Sequence, residues 1–136
     1  MKLTPEIKTY LNKLNKRYYK SLGIKSTVFP TLCFTVTEFN KIEGPEFNKV
    51  SKIKDRYGLV CFNKKSCTMF LNVRHHKDVA ELYSTLIHEM VHLKHPKLPH
   101  GKTFNNKINN IIMSDRYWVI KKEILTVWLQ NKQWRI

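Results

Sequence analysis

The chain has few acidic residues, few cysteines and no long apolar run, and each shortage narrows what it can be. Asp plus Glu number 10 against 25 Lys plus Arg, a net charge of +15 over 136 residues. A field of that sign draws polyanions, nucleic acid first, so DNA, single-stranded or duplex, is the expected partner. Cys33, Cys61 and Cys67 are an odd set, too sparse for a disulfide scaffold and suited to a reducing compartment. No stretch is apolar for long enough to span a bilayer. Met1-Lys2-Leu3-Thr4-Pro5 lacks the apolar segment of a secretory signal. The expectation is an intracellular protein, cytoplasmic or nuclear, with no membrane partner. Its length suits one domain over residues 1–136 with a real but modest core.

What is present is concentrated in Leu86-Ile87-His88-Glu89-Met90-Val91-His92, continued by Pro99-His100-Gly101-Lys102-Thr103-Phe104. On a helix, His88 and His92 project from one face a turn apart and can grip one metal ion. Glu89 follows the first histidine directly. It is too close to complete the same coordination shell comfortably, but well placed to take a proton from water activated by the metal. Before the motif, Asp78 and Glu81 have the spacing of a capping box, and Val79, Leu82, Leu86, Met90 and Leu93 recur at steps of three and four. That is the apolar stripe of a buried helix, while Thr85, His88 and His92 share a different side.

Pro96 and Pro99 end this helix and fold the chain back, so a third ligand can arrive from a separate element. His100 is the candidate, because Gly101 allows a tight approach and Phe104, Ile108 and Ile111 form the stripe of a second helix. His95, three residues after His92, is a rival held in reserve as a group supporting the ligands or facing substrate, since no Gly-x-x-Phe follows it. Three protein nitrogens leave the fourth position of tetrahedral zinc open, the catalytic rather than the structural pattern.

The string from His88 to His92, seven intervening residues, and His100-Gly101-Lys102-Thr103-Phe104 resemble the SprT-like metallopeptidases, the group that includes the Spartan proteases of DNA–protein crosslink repair. The likeness covers residues 1 to 114, with specific motifs from 82 to 108. It implies a small zincin-like α+β domain in which His88, His92 and His100 bind zinc and Glu89 is the general base. The implied activity is endopeptidase cleavage of proteins bound to or crosslinked with DNA. One departure stands out: bacterial members often carry a cysteine zinc ribbon after the catalytic helices, and no Cys-x-x-Cys pair exists here. Either another surface meets DNA or the substrate differs. Two alternatives stay open: a YgjP-like small zinc peptidase with the same chemistry and no DNA link, and a non-catalytic DNA-binding protein stapled by zinc. A form this compact would suit a virus or phage.

The remaining elements complete the expected architecture. Thr4-Pro5 reads as a cap and first turn, and Ile7, Leu11, Leu14, Tyr18 and Leu22 make an amphipathic helix over 5–22, stopped by Gly23. Lys8, Lys13, Lys16, Arg17 and Lys20 lie on its polar face, with Tyr18 read as packed rather than stacking on bases. Period-two alternation predicts a strand within 27–40, then a connection over 41–55, then strands 56–62 and 67–73 joined by a hairpin at Asn63–Ser66. This is a three-stranded antiparallel sheet, with Cys67, Met69, Leu71 and Val73 on one face and the thiols packed rather than ligating. Arg74-His75-His76-Lys77 reads as a solvated linker before the metal helix. A basic, aromatic segment over 115–136 is expected to be helical through Trp128, with Trp118–Ile120 equally readable as a short strand, and Trp134 as either a stacking or a packed ring.

Overall fold

A computed structural model describes residues 1–25, 28–44, 52–63, 65–114, 122–124 and 126. Helix α1 spans Pro5–Ser21. The Thr4 hydroxyl accepts from the Ile7 amide at 3.3 Å, proline occupies the first position, and Ile7, Leu11, Leu14 and Tyr18 are buried as their spacing requires. Gly23 turns the chain away with φ +63°.

The first strand is shorter than the alternation implies. Strand β1 is only Thr31–Cys33, and helix α2 occupies Val36–Glu43. A capping box explains the correction: the Thr35 hydroxyl accepts from the Glu38 amide at 3.1 Å, while the Glu38 carboxylate accepts from the Phe34 amide at 3.3 Å. The first bond satisfies an amide of the helix's opening turn and the second ties down the residue before its cap, and alternation over a few residues does not outweigh them. A 3₁₀ turn at Ile53–Asp55 leads to β2, Gly58–Phe62, and β3, Cys67–Leu71. Asn63 closes the hairpin: its side chain accepts from the amides of Lys65 and Ser66 at 2.8 and 2.9 Å.

The sheet is mixed, not antiparallel throughout. Its order is β1-β3-β2, with β1 parallel to β3 and β2 antiparallel to it. The chain leaves β1 through α2 and returns along β2, so β3 runs in the direction of β1. Both faces of β3 are covered. Cys67, Met69 and Leu71 join the main core, and Phe70 joins Cys33, Phe39 and Ile53 in a second cluster. The thiols of Cys33 and Cys67 are therefore packing groups. Burial pushes the Cys33 thiol up to about 12, which removes thiolate character. Strand β2 lies at the edge, with Val60 toward the main core and Leu59 and Cys61 toward the second cluster.

Helix α3 spans Val79–Lys94 and helix α4 Lys102–Ile112. The Asp78 side chain accepts from the Glu81 amide at 2.9 Å, and the Glu81 carboxylate accepts from the Lys77 amide at 3.1 Å. The expected stripe of Val79, Leu82, Leu86, Met90 and Leu93 is buried, widened by Tyr83, Ile87 and Val91. Each such aliphatic side chain withdrawn from water contributes about 1.5–3 kcal/mol, so the helix carrying the histidines is a rigid base. Most of the segment 115–136, including Trp118, Trp128 and Trp134, lies outside the described residues. Within it, Glu123 accepts from the Tyr10 hydroxyl at 3.0 Å and pairs with Arg17 at 3.6 Å.

Candidate metal centre

The i, i+4 spacing on α3 stacks His88 and His92, with ring centroids 4.8 Å apart. His95 ends the helix, its amide donating to the Val91 carbonyl at 2.9 Å. The chain then turns, the Leu98 amide donating to the His95 carbonyl at 3.0 Å, and brings residue 100 back over the ligand face. His100 Nε2 lies 2.9 Å from His92 Nε2, which lies 3.1 Å from His88 Nε2. These three histidines are close enough to bind one metal ion, and among the described residues they form the only such group. His95 is not part of it.

The α4 end explains why Gly-x-x-Phe accompanies the third histidine. Gly101 sits at φ +156°, ψ −165°, a backbone region essentially confined to glycine. Phe104, in the first turn of α4, is fully buried beneath the triad, its ring centroid 4.9, 4.5 and 5.0 Å from those of His88, His92 and His100. It is the floor on which all three imidazoles rest.

The donor set fits a transition-metal ion. Each ring nitrogen has one proton or one lone pair, yet three of them converge on a common point. Zinc–nitrogen bonds of about 2.0–2.1 Å in a tetrahedron place nitrogens about 3.3 Å apart, slightly wider than the two contacts above. Burial, followed by repulsion from His88 and His100, lowers His92 to about 4. Burial also lowers His88, with His100 the lesser cause. Neutral imidazoles with free lone pairs are the form a metal requires.

Glu89 is 5% exposed, and burial pushes its carboxyl up to about 7 against the pull of Arg56. It lines two open clefts. The first, about 350 Å³, includes Val60, Phe62, Pro96 and the three histidines. The second, about 440 Å³, includes Asp55, Tyr57, Ser84 and Thr85. Arg56, Gly58 and His88 border both.

Compared with known families, curated proteins and solved structures, the chain matches none.

Two features escaped the sequence. Gly58, the first residue of β2, is pressed against α3: a Cβ there would stand 2.6 Å from Thr85 Cγ2 and 3.3 Å from Glu89 Oε1. The linker reading of residues 74–77 is also corrected at His76, which is 3% exposed. Its ring joins the Asn72 carbonyl at 2.6 Å and the Thr85 hydroxyl at 2.6 Å. His75 points out, its Nε2 2.7 Å from the Lys54 carbonyl oxygen. A 3₁₀ turn at Val73–His75 rotates one histidine inward and leaves the other outside, and adjacency in sequence carries no signal of which.

Proposed function

We propose that this protein is a zinc-dependent endopeptidase acting on proteins associated with or crosslinked to DNA, the activity implied by its likeness to the SprT-like group. The observation that carries the reading is the convergence of His88, His92 and His100 beside a buried carboxylate in the wall of an open cleft. Three imidazoles suit zinc. When bound there, zinc supplies Lewis acidity toward a peptide carbonyl and toward water.

The chain's own residues do the rest. Glu89 takes a proton as water attacks the carbonyl carbon, and delivers it to the amine nitrogen as the carbon–nitrogen bond breaks, leaving a carboxylic acid and an amine. Burial raises the carboxyl of Glu89, the direction that suits a group which must hold a proton before passing it on. Strand β2, at the edge of the sheet, can take an extended peptide as an added strand beside the clefts, reading main chain with little side-chain preference. The net charge of +15 and the exposed Lys13, Lys16 and Lys20 on α1 favour substrates held on DNA.

The test is cleavage of a DNA-binding protein with and without DNA, comparing the zinc-loaded wild type with Glu89→Gln. The expected outcome is loss of cleavage in the variant with zinc content retained. Equal activity of the two would overturn the reading.

A further inference from the structure

A threonine inside a helix can send its hydroxyl back to a carbonyl of the preceding turn, and so divides between two rotamers. Thr85, one turn before Glu89 on α3, is held differently. Its Oγ1 lies 2.6 Å from His76 Nε2. The other ring nitrogen, Nδ1, lies 2.6 Å from the Asn72 carbonyl oxygen. A carbonyl only accepts, so Nδ1 carries a proton. Burial lowers His76 and keeps the ring neutral. Nε2 is therefore a bare lone pair, and the Thr85 hydroxyl donates to it.

That bond settles where the methyl goes. Thr85 Cγ2 and Glu89 Oε1 close on the same point of β2, 2.6 and 3.3 Å from where a Cβ of residue 58 would stand. The ring of Tyr57 also meets the imidazole at a right angle, with centroids 5.5 Å apart. A chain of contacts thus runs from the Asn72 carbonyl through His76 and Thr85 to Gly58, beside which the Glu89 carboxylate lies.

We propose that His76 is a positioning residue for Glu89, acting through the Thr85 side chain and the start of β2. The proposal rests on Glu89 being the general base. Without His76, the Thr85 hydroxyl is free to bond back along α3, the methyl leaves Gly58, and the carboxylate gains room to swing from its working position. Misplacement by about 1 Å costs on the order of a hundredfold in rate.

The test uses the full chain loaded with zinc. In His76→Asn the amide nitrogen can replace Nδ1 but stops short of Thr85, whereas in His76→Gln the side-chain oxygen reaches the place of Nε2. Zinc affinity should hold within about threefold, because the ligands' own supports, whose loss costs about 10–100-fold, are untouched. His76→Asn and Thr85→Val should each lower kcat by about ten- to a hundredfold with KM little changed. His76→Gln should recover most of the loss, and the double variant should be no slower than the slower single one. Unchanged kcat in both singles, losses that multiply in the double, or a Gln variant no better than Asn would overturn the proposal. If the wild type hydrolyses no peptide, the peptidase reading fails, and the positioning geometry is judged separately by ¹⁵N NMR of the wild-type imidazole. A proton on Nδ1 with none on Nε2 supports it, and a proton on Nε2 overturns it.

Discussion

Gly58 and Glu89 stand 31 residues apart in sequence, on β2 and α3, yet a Cβ on the first would stand 3.3 Å from Oε1 of the second. The same Cβ would lie 3.0 Å from the Phe70 carbonyl oxygen and 2.6 Å from the Thr85 methyl, and the carbonyl, as backbone, cannot swing aside. Gly58→Ala should therefore destabilise the protein by about 1–3 kcal/mol and depress peptide hydrolysis further than the loss of folded protein explains. Thermal unfolding and activity per folded molecule check this. A variant as stable and as active as wild type would show that the two elements do not meet this closely.

Removal of one imidazole separates the ligand set from the core. His100 is exposed, and its ring rests on Phe104 rather than filling space of its own. His100→Ala should lower zinc affinity by more than about a hundredfold while leaving the melting temperature of the metal-free protein nearly unchanged. Phe104→Ala removes a fully buried ring from beneath all three histidines and should cost about 3–5 kcal/mol as well as zinc. Zinc titration and metal-free melting, run on both variants, distinguish a ligand from its floor. Retained zinc in His100→Ala would remove residue 100 from the ligand set.

How far the site could be read in advance follows from the range of the forces that make it. The α3 helix and its two histidines were legible because capping by Asp78 and burial of a 3.6-residue stripe are local effects. His100 was legible because Gly101 and Phe104 mark the chain reversal and the floor. The strand direction was not, since β1 runs parallel to β3 only through a connection that includes α2. The Thr35–Glu38 capping box is a local signal in the sequence that the alternation of Leu32, Phe34 and Val36 masks. Gly58 and His76 gain their meaning from contacts across the fold, with Glu89 and Thr85, which spacing does not encode.

Buried His76 should leave a mark on acid stability. Its folded value lies below the ordinary 6.5, through burial first and then despite the raising effects of the Asn72 carbonyl and Glu81; His75 and the N-terminal ammonium lower it further. The unfolded chain takes up a proton that the folded chain refuses, so the contribution to stability is full above pH about 6.5 and declines as the pH falls below that. His76→Gln cannot titrate. The variant's unfolding free energy, in metal-free protein, should fall less steeply between about pH 6.5 and 5 than that of wild type, by at most about 1.4 kcal/mol per pH unit. His88 and His92 remain in both proteins, so the difference isolates residue 76. Parallel slopes would show that its ring is charged or hydrated in the folded state.

The charge asymmetry gives the proposed DNA link a quantitative form. Lys13, Lys16 and Lys20 are exposed on α1 at spacings of three and four, which aligns them on one face. If that face lies along phosphates, binding of duplex DNA weakens with salt at a slope of about 0.9 per contact in log–log form, and that of single strands at about 0.7. Replacing all three lysines by glutamine should lower the slope by roughly 2–3 and weaken binding uniformly across sequences, while cleavage of a free peptide in the absence of DNA stays at the wild-type rate. Helix α1 contributes no residue to either cleft beside Glu89, so the two readouts are separable. An unchanged slope would move the DNA contact to another surface. No DNA binding at physiological salt would favour the YgjP-like alternative, in which the same histidines and glutamate are proposed to act on substrates chosen without nucleic acid.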